Sequence, residues 1–219
     1  MNFGLAGDIW TTAGVNESQL WLHVDHLPST DKPSTKKVVL PTYGFTVEAL
    51  ETCETISDVE RLLGDIDRTE GMILLVVDGK VDQAAVFECS SSGWATTSFD
   101  TDWLVRTNHA LIGQKSVAKS NIRPLDTWSR FQRLDELLKE KYGGSSVPRS
   151  EDLKEYLADD QVERREEDFA TGYSIVACPA KRRIQFTFLI RKVLRAASFC
   201  RKYKTSPLIF VERIDENSI

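Results

Sequence analysis

Little in this sequence invites a quick assignment. Of its 219 residues only three are histidine, four cysteine and seven proline. His23, His26 and His109 are too few and too scattered for a metal site; the short His23 to His26 spacing falls at the end of an expected strand and reads as core or surface histidine. Cys53, Cys89, Cys178 and Cys200 stand far apart, which excludes a CxxC metal pair and a dense disulfide framework and points to a reduced, cytoplasmic setting. No run approaches the roughly 20 apolar residues of a membrane-spanning helix. Met1 to Trp10 lacks the basic start and apolar stretch of a signal peptide. Positive charge is also short: the formal charge is -5 with a pI near 5.4, so no overall basic field attracts nucleic acid. There is no internal repeat.

What is present is an ordinary globular composition, 41% apolar and 28% charged, in a length that fits one main domain with a real core. Small residues and glycines from Gly4 to Gly14, then alternation from Leu20 to Val24, predict strand, turn, strand. A polar loop spans Pro28 to Pro41. Helices are expected over Phe45 to Glu54 and Ser57 to Asp67, the second opened by a capping box at Ser57-Asp58-Val59-Glu60 and lined by Val59, Leu62, Leu63 and Ile66. Met72 to Val77 and Ala84 to Cys89 read as strands joined through Asp78-Gly79, a tight-turn signal. A short strand is expected over Trp103 to Thr107, then a loop to Pro124 long enough to suggest a functional role. A helix from Thr127 to Tyr142 ends at Gly143-Gly144, and a shorter acidic helix runs from Ser150 to Asp159. A last hairpin, Gly172 to Cys178 with Arg183 to Phe188, turns at Pro179-Ala180-Lys181. Strands and helices in this order give an α+β fold with two stacked antiparallel sheets between helical layers.

Three segments carry a resemblance. Gly7-Asp8-Ile9-Trp10-Thr11-Thr12-Ala13-Gly14-Val15-Asn16-Glu17-Ser18-Gln19-Leu20-Trp21 is similar to a turn in which Asn-Glu precedes a basic residue, Gly and Leu. Thr107-Asn108-His109 follows a strand, and Thr127-Trp128-Ser129-Arg130-Phe131-Gln132-Arg133-Leu134 is similar to a Ser-x-x-Arg-aromatic-x-Arg-Leu helix start. In this order, over about residues 4 to 188, they resemble the cysteine N-terminal-nucleophile hydrolases of the choloylglycine hydrolase and isopenicillin N acyltransferase type. The resemblance implies a four-layer αββα fold and hydrolysis, or acyl transfer, at linear amide C–N bonds. It implies Asn16 and Asn108 as oxyanion donors, and Arg130 as the cation that favours a thiolate.

Two departures stand out. Gln19 replaces the family's Gly, at a turn that calls for positive φ. The family's N-terminal Cys has no counterpart where the sequence opens Met1-Asn2-Phe3, and the four cysteines present read as buried, inert thiols. The expectation is a catalytic scaffold with its nucleophile elsewhere, inactive alone; the alternative is a non-catalytic relative acting as a binding or interaction protein. The partner implied is a small acyl amide, with a front-segment chain or a second copy possible and no cofactor or metal required. Residues 1–189 form the expected domain. Residues 190–219 read as a basic amphipathic tail, with nine basic and no acidic residues between Lys181 and Lys204.

Overall fold

The structure is a computed structural model that describes residues 2–3, 11–98, 103–112, 124–143, 148–164, 171, 173–188 and 209–211. In chain order its elements are β1 (Asn2–Phe3), β2 (Ala13–Val15), β3 (Leu20–Leu27), β4 (Val38–Leu40), α1 (Thr42–Thr52), α2 (Ile56–Asp65) and β5 (Ile66–Arg68). There follow β6 (Gly71–Asp78), β7 (Gln83–Cys89), β8 (Trp94–Ser98), α3 (Pro124–Tyr142), α4 (Ser150–Leu157), β9 (Tyr173–Cys178), a 3-10 turn (Pro179–Lys181), β10 (Arg183–Phe188) and β11 (Ile209–Val211).

Alternation sorts the side chains of β3 into two faces, because successive residues of a strand point opposite ways. Leu20, Leu22 and Val24, with Leu74, Val76 and Phe87 of the neighbouring strands, pack under Phe45, Ala49 and Leu50 of α1 and Val59 and Leu63 of α2. Each such large side chain, fully buried, is worth about 1.5 to 3 kcal/mol of apolar transfer. Trp21, Val77 and Ala13 face the other way, onto Tyr173, Ile175 and Ala177 of β9. The far side of β9, at Val176, meets Leu134 and Leu138 of α3 and Leu153, Tyr156 and Leu157 of α4. Four layers result, α1 and α2, a sheet, a second sheet, then α3 and α4. The first sheet is antiparallel in the order β1-β2-β3-β6-β7-β8, and the second is β10-β9-β11.

Several boundaries differ from the sequence expectation, each for a local reason. The capping box of α2 is Thr55 with Asp58, not Ser57 with Glu60: Thr55 Oγ1 accepts from the Asp58 N–H, and the Asp58 carboxylate accepts from the Thr55 N–H. β4 and β5, read as loop and helix end, pair in parallel, an arrangement that needs a crossover, which α1 and α2 provide. Trp103 to Thr107 forms no strand and has no ladder partner among the described residues; its Leu104 and Val105 fill two different clusters instead. β11 lies in parallel beside β9, so residues 209–211 of the expected tail belong to the second sheet. The rest of residues 190–219, with the expected basic helix and Cys200, lies outside the described residues, as do residues 4–10 of the first expected strand.

The β6-β7 hairpin forms from the expected strands, but Asp78 belongs to the ladder and pairs with Gln83, so four residues make the turn in place of a tight Asp78-Gly79 turn, and the positive φ, 52°, is at Asp82. Gly79 is required for closeness instead. A Cβ there would stand 2.5 Å from the Ala180 backbone nitrogen, at the point where this hairpin touches the 3-10 turn after β9. No described helix is long and apolar enough to cross a membrane.

Candidate active site

The segment 103–112 has no secondary structure of its own, so side chains hold its shape. Glu88, fully buried on β7, accepts the backbone N–H of Leu111 and of Ile112 at 2.9 Å each and pairs with Arg106 at 3.3 Å. Before Asn108, the Thr107 hydroxyl donates to the Thr127 carbonyl at 2.9 Å, and the Thr127 hydroxyl donates to Thr107 Oγ1 at 2.9 Å. His109 Nδ1 lies 3.0 Å from both hydroxyls. Since both hydroxyl hydrogens are already engaged, Nδ1 carries the ring hydrogen and Nε2 is a buried acceptor with no hydrogen bond among the described residues. Burial, then the charges of Arg130 and Arg106, hold the imidazole down at about 4. Thr127 therefore does not cap α3, which begins three residues earlier at Pro124; it ties the helix to the loop.

That tie sets Asn108 against Arg130. Arg130 Nη2 donates to Asn108 Oδ1 at 3.1 Å, and Asn108 Nδ2 donates to the carbonyl of His26 at 3.2 Å. The carboxamide nitrogen carries two hydrogens, so one remains to offer a ligand. Arg130 is 2% exposed. Burial lowers its pKa, and Asp126, 3.6 Å away, and Asp25 oppose that shift. Asp126 also takes Arg164 at 2.7 Å. Beside this pair, on the inner face of β3, stand His23 and Asp25, with His23 Nε2 3.8 Å from Asp25 Oδ2. On the other side His109 stacks on Trp128 at 3.9 Å between centroids, with Phe131 edge-on to both rings. Trp128 remains 44% exposed.

Two of the three expected site residues thus meet, and the third does not join them. Asn16 donates to the carbonyls of Leu50 and Cys53, at 3.2 and 2.7 Å, and accepts from the Leu20 N–H. It fastens the end of α1 to the start of β3, whereas Asn108 is bonded near the end of that strand. The turn it opens does demand the backbone that glycine favours: Gln19 adopts φ 59°. The expected convergence of Asn16 with Asn108 and Arg130 is therefore corrected. Sequence reading placed Asn16 by an Asn-Glu motif, but the segment that reaches Asn108 lies ten residues further on, at His26. Asp25 was not singled out, and His23 was read as a core or surface histidine, because polar residues in a strand usually face water; their signal was their phase with Trp21, on the face that the second sheet covers.

The described cysteines are far from reactive. Burial pushes the Cys89 thiol up to about 12 and raises that of Cys53 as well, and Cys178 is buried too.

The layer order, helices, sheet, sheet and helices, is that of an N-terminal-nucleophile hydrolase fold. The family model for acyl-coenzyme A:6-aminopenicillanic acid acyl-transferase matches residues 3–191, and the chain belongs to that family. Among solved structures, a variant of conjugated bile acid hydrolase from Clostridium perfringens is 12% identical, with 99% of this chain and 83% of that one covered at a TM-score of 0.52. A second variant of that hydrolase is 14% identical, with 96% and 79% covered at 0.51. Penicillin V acylase from Agrobacterium tumefaciens is 17% identical, with 72% and 54% covered at 0.49. No curated protein matches the sequence.

Proposed function

We propose that this chain is the acyl-amide-binding scaffold of a cysteine-type N-terminal-nucleophile amide hydrolase or acyltransferase, with the nucleophile not among its four cysteines. Attack on an amide carbonyl builds negative charge on oxygen, and a pre-aimed donor stabilises it. Asn108 is the candidate donor. Its carboxamide is gripped at the oxygen by the Arg130 guanidinium and at the nitrogen by His26, so its remaining N–H has one direction. Arg130 supplies the fixed positive charge that favours a thiolate brought beside it. This Arg130–Asn108 contact is the observation that carries the reading. Asn16 has a structural role.

The nucleophile reaches the site on another segment or chain, and alone the chain is inert. The substrate is a small linear amide. A fusion carrying a segment that begins with Cys tests this: purified chain 1–219 shows no amide hydrolysis, the fusion does, and Asn108→Ala in the fusion loses about 10² to 10³ of the rate. An added amine that captures the acyl group identifies an acyltransferase. A second reading, a non-catalytic relative that binds acyl amides, draws on the protonated state of the buried Cys53 and Cys89 thiols. It prevails if well-folded fusions bind acyl amides and turn none over.

A further inference from the structure

Four buried polar atoms beside the Arg130–Asn108 pair have no hydrogen bond among the described residues: His23 Nδ1 and Nε2, Asp25 Oδ1 and Arg130 Nε. Their residues are 2%, 8% and 2% exposed. A buried polar group without a partner is rare enough to require an explanation, and these four share one neighbourhood. Asp25 adjoins His26, whose carbonyl holds Asn108, and its charge acts on Arg130. Asp25 is the outermost, its side chain 10% exposed against 3% for each of the other two.

The inventory of these atoms has a shape. Asp25 Oδ1 is an acceptor that needs a donor, while the second Asn108 N–H is a donor that needs an acceptor; Arg130 Nε has the Asp126 carboxylate, 3.6 Å away, as its ionic partner. A secondary amide carries both, an N–H and a carbonyl oxygen. An ester of the same size carries only acceptors and would leave the buried carboxylate unpaired, and a site with an unpaired buried group rejects such an analogue strongly. We propose that Asp25, whose other oxygen lies 3.8 Å from His23 Nε2, is the specificity-determining residue that makes this site select secondary amides over esters, by accepting the amide N–H. This rests on the reading of the site as one that binds acyl amides.

The test is binding to chain 1–219, so it does not depend on turnover. Three probes share a phenylacetyl group, chosen for the Trp128, His109 and Phe131 rings: N-methylphenylacetamide, methyl phenylacetate and N,N-dimethylphenylacetamide. Binding is followed through the imidazole signals of His23 by NMR. The first probe is expected to shift those signals and to bind at least about 10-fold more tightly than the other two, which lack the N–H. Asp25→Asn, whose carboxamide both donates and accepts, is expected to bring the ester to within about threefold of the amide. Equal binding of the three probes overturns the proposal. So does an unchanged preference in a folded Asp25→Asn protein, or an absence of binding by all three. Where that variant does not fold, the dimethyl probe decides without it. Hydrolysis by the Cys-bearing fusion judges the proposed function separately, since a fusion can cleave amides and esters alike.

Discussion

Asn16 and Asn108 hold opposite ends of one strand: Asn16 Oδ1 accepts the N–H of Leu20, where β3 begins, and Asn108 Nδ2 donates to the carbonyl of His26, near its end. Six residues of extended chain separate the two anchor points, roughly 20 Å, so the two carboxamides do not face one oxyanion.

Their replacements should therefore separate stability from activity. Asn16→Ala removes two donated bonds and one accepted bond at the α1 to β3 junction and should cost about 2 kcal/mol in urea unfolding. It should leave the rate of a completed enzyme, per folded molecule, unchanged. Asn108→Ala should do the reverse, with the larger loss in rate. A rate loss of similar size from Asn16→Ala would return it to the site.

Local patterns were legible wherever one face of an element is apolar. The phase of Leu20 to Leu27, the face of α2 and the run of β6 all state their burial in the order of their residues. What was not legible depends on partners distant in the chain. Nothing near Thr127 says that its hydroxyl meets Thr107 rather than caps a helix, and nothing near Val38 says that Ile66 lies beside it. Asn108 and Arg130 were singled out through motif order, and their side chains are hydrogen-bonded, while Asp25 and Glu88 were not singled out, because a buried carboxylate is recognisable only once its donors are in place.

Gly79→Ala tests the contact between the sheets. The added methyl would stand 2.5 Å from the Ala180 nitrogen and 2.7 Å from the Pro179 carbonyl carbon, both backbone atoms that cannot swing aside. A loss of about 1 to 3 kcal/mol in unfolding free energy is expected. An effect near zero would mean that the hairpin and the 3-10 turn do not touch.

At Gln19 the strain runs the other way. Its φ of 59° costs a residue with a side chain about 1 to 2 kcal/mol, while glycine adds freedom to the unfolded chain worth about 0.4 to 1. Gln19→Gly should therefore be neutral to about 1 kcal/mol stabilising, and Gln19→Val clearly destabilising, in thermal unfolding. A clear loss with glycine would show that the Gln19 side chain contributes more than its backbone strain takes away.

His109 should give the protein a pH dependence with a definite window. Its imidazole is held neutral in the fold, at about 4, against an ordinary value near 6.5, because burial and then the Arg130 and Arg106 charges disfavour the cation. Below about pH 6.5 the unfolded chain binds a proton there that the folded chain refuses. Stability is therefore complete above that pH and falls as the pH drops towards 4, by up to about 3 kcal/mol. Below 4 both states are protonated and this contribution is flat. Asp31 and Asp152 cannot produce the same slope. Burial alone would raise their pKa values, but serine hydrogen bonds at Asp31, and Arg149, Lys141 and Tyr142 at Asp152, more than offset it. Their contributions are lost only below the ordinary carboxylate range, under about pH 4. Urea unfolding between pH 7 and 4 should thus show a slope that His109→Gln, which keeps a donor for the threonine hydroxyls and does not titrate, reduces. If the variant and the parent lose stability in parallel across that window, the proton is taken up elsewhere, and the account of His109 as a neutral tie between Thr107 and Thr127 fails.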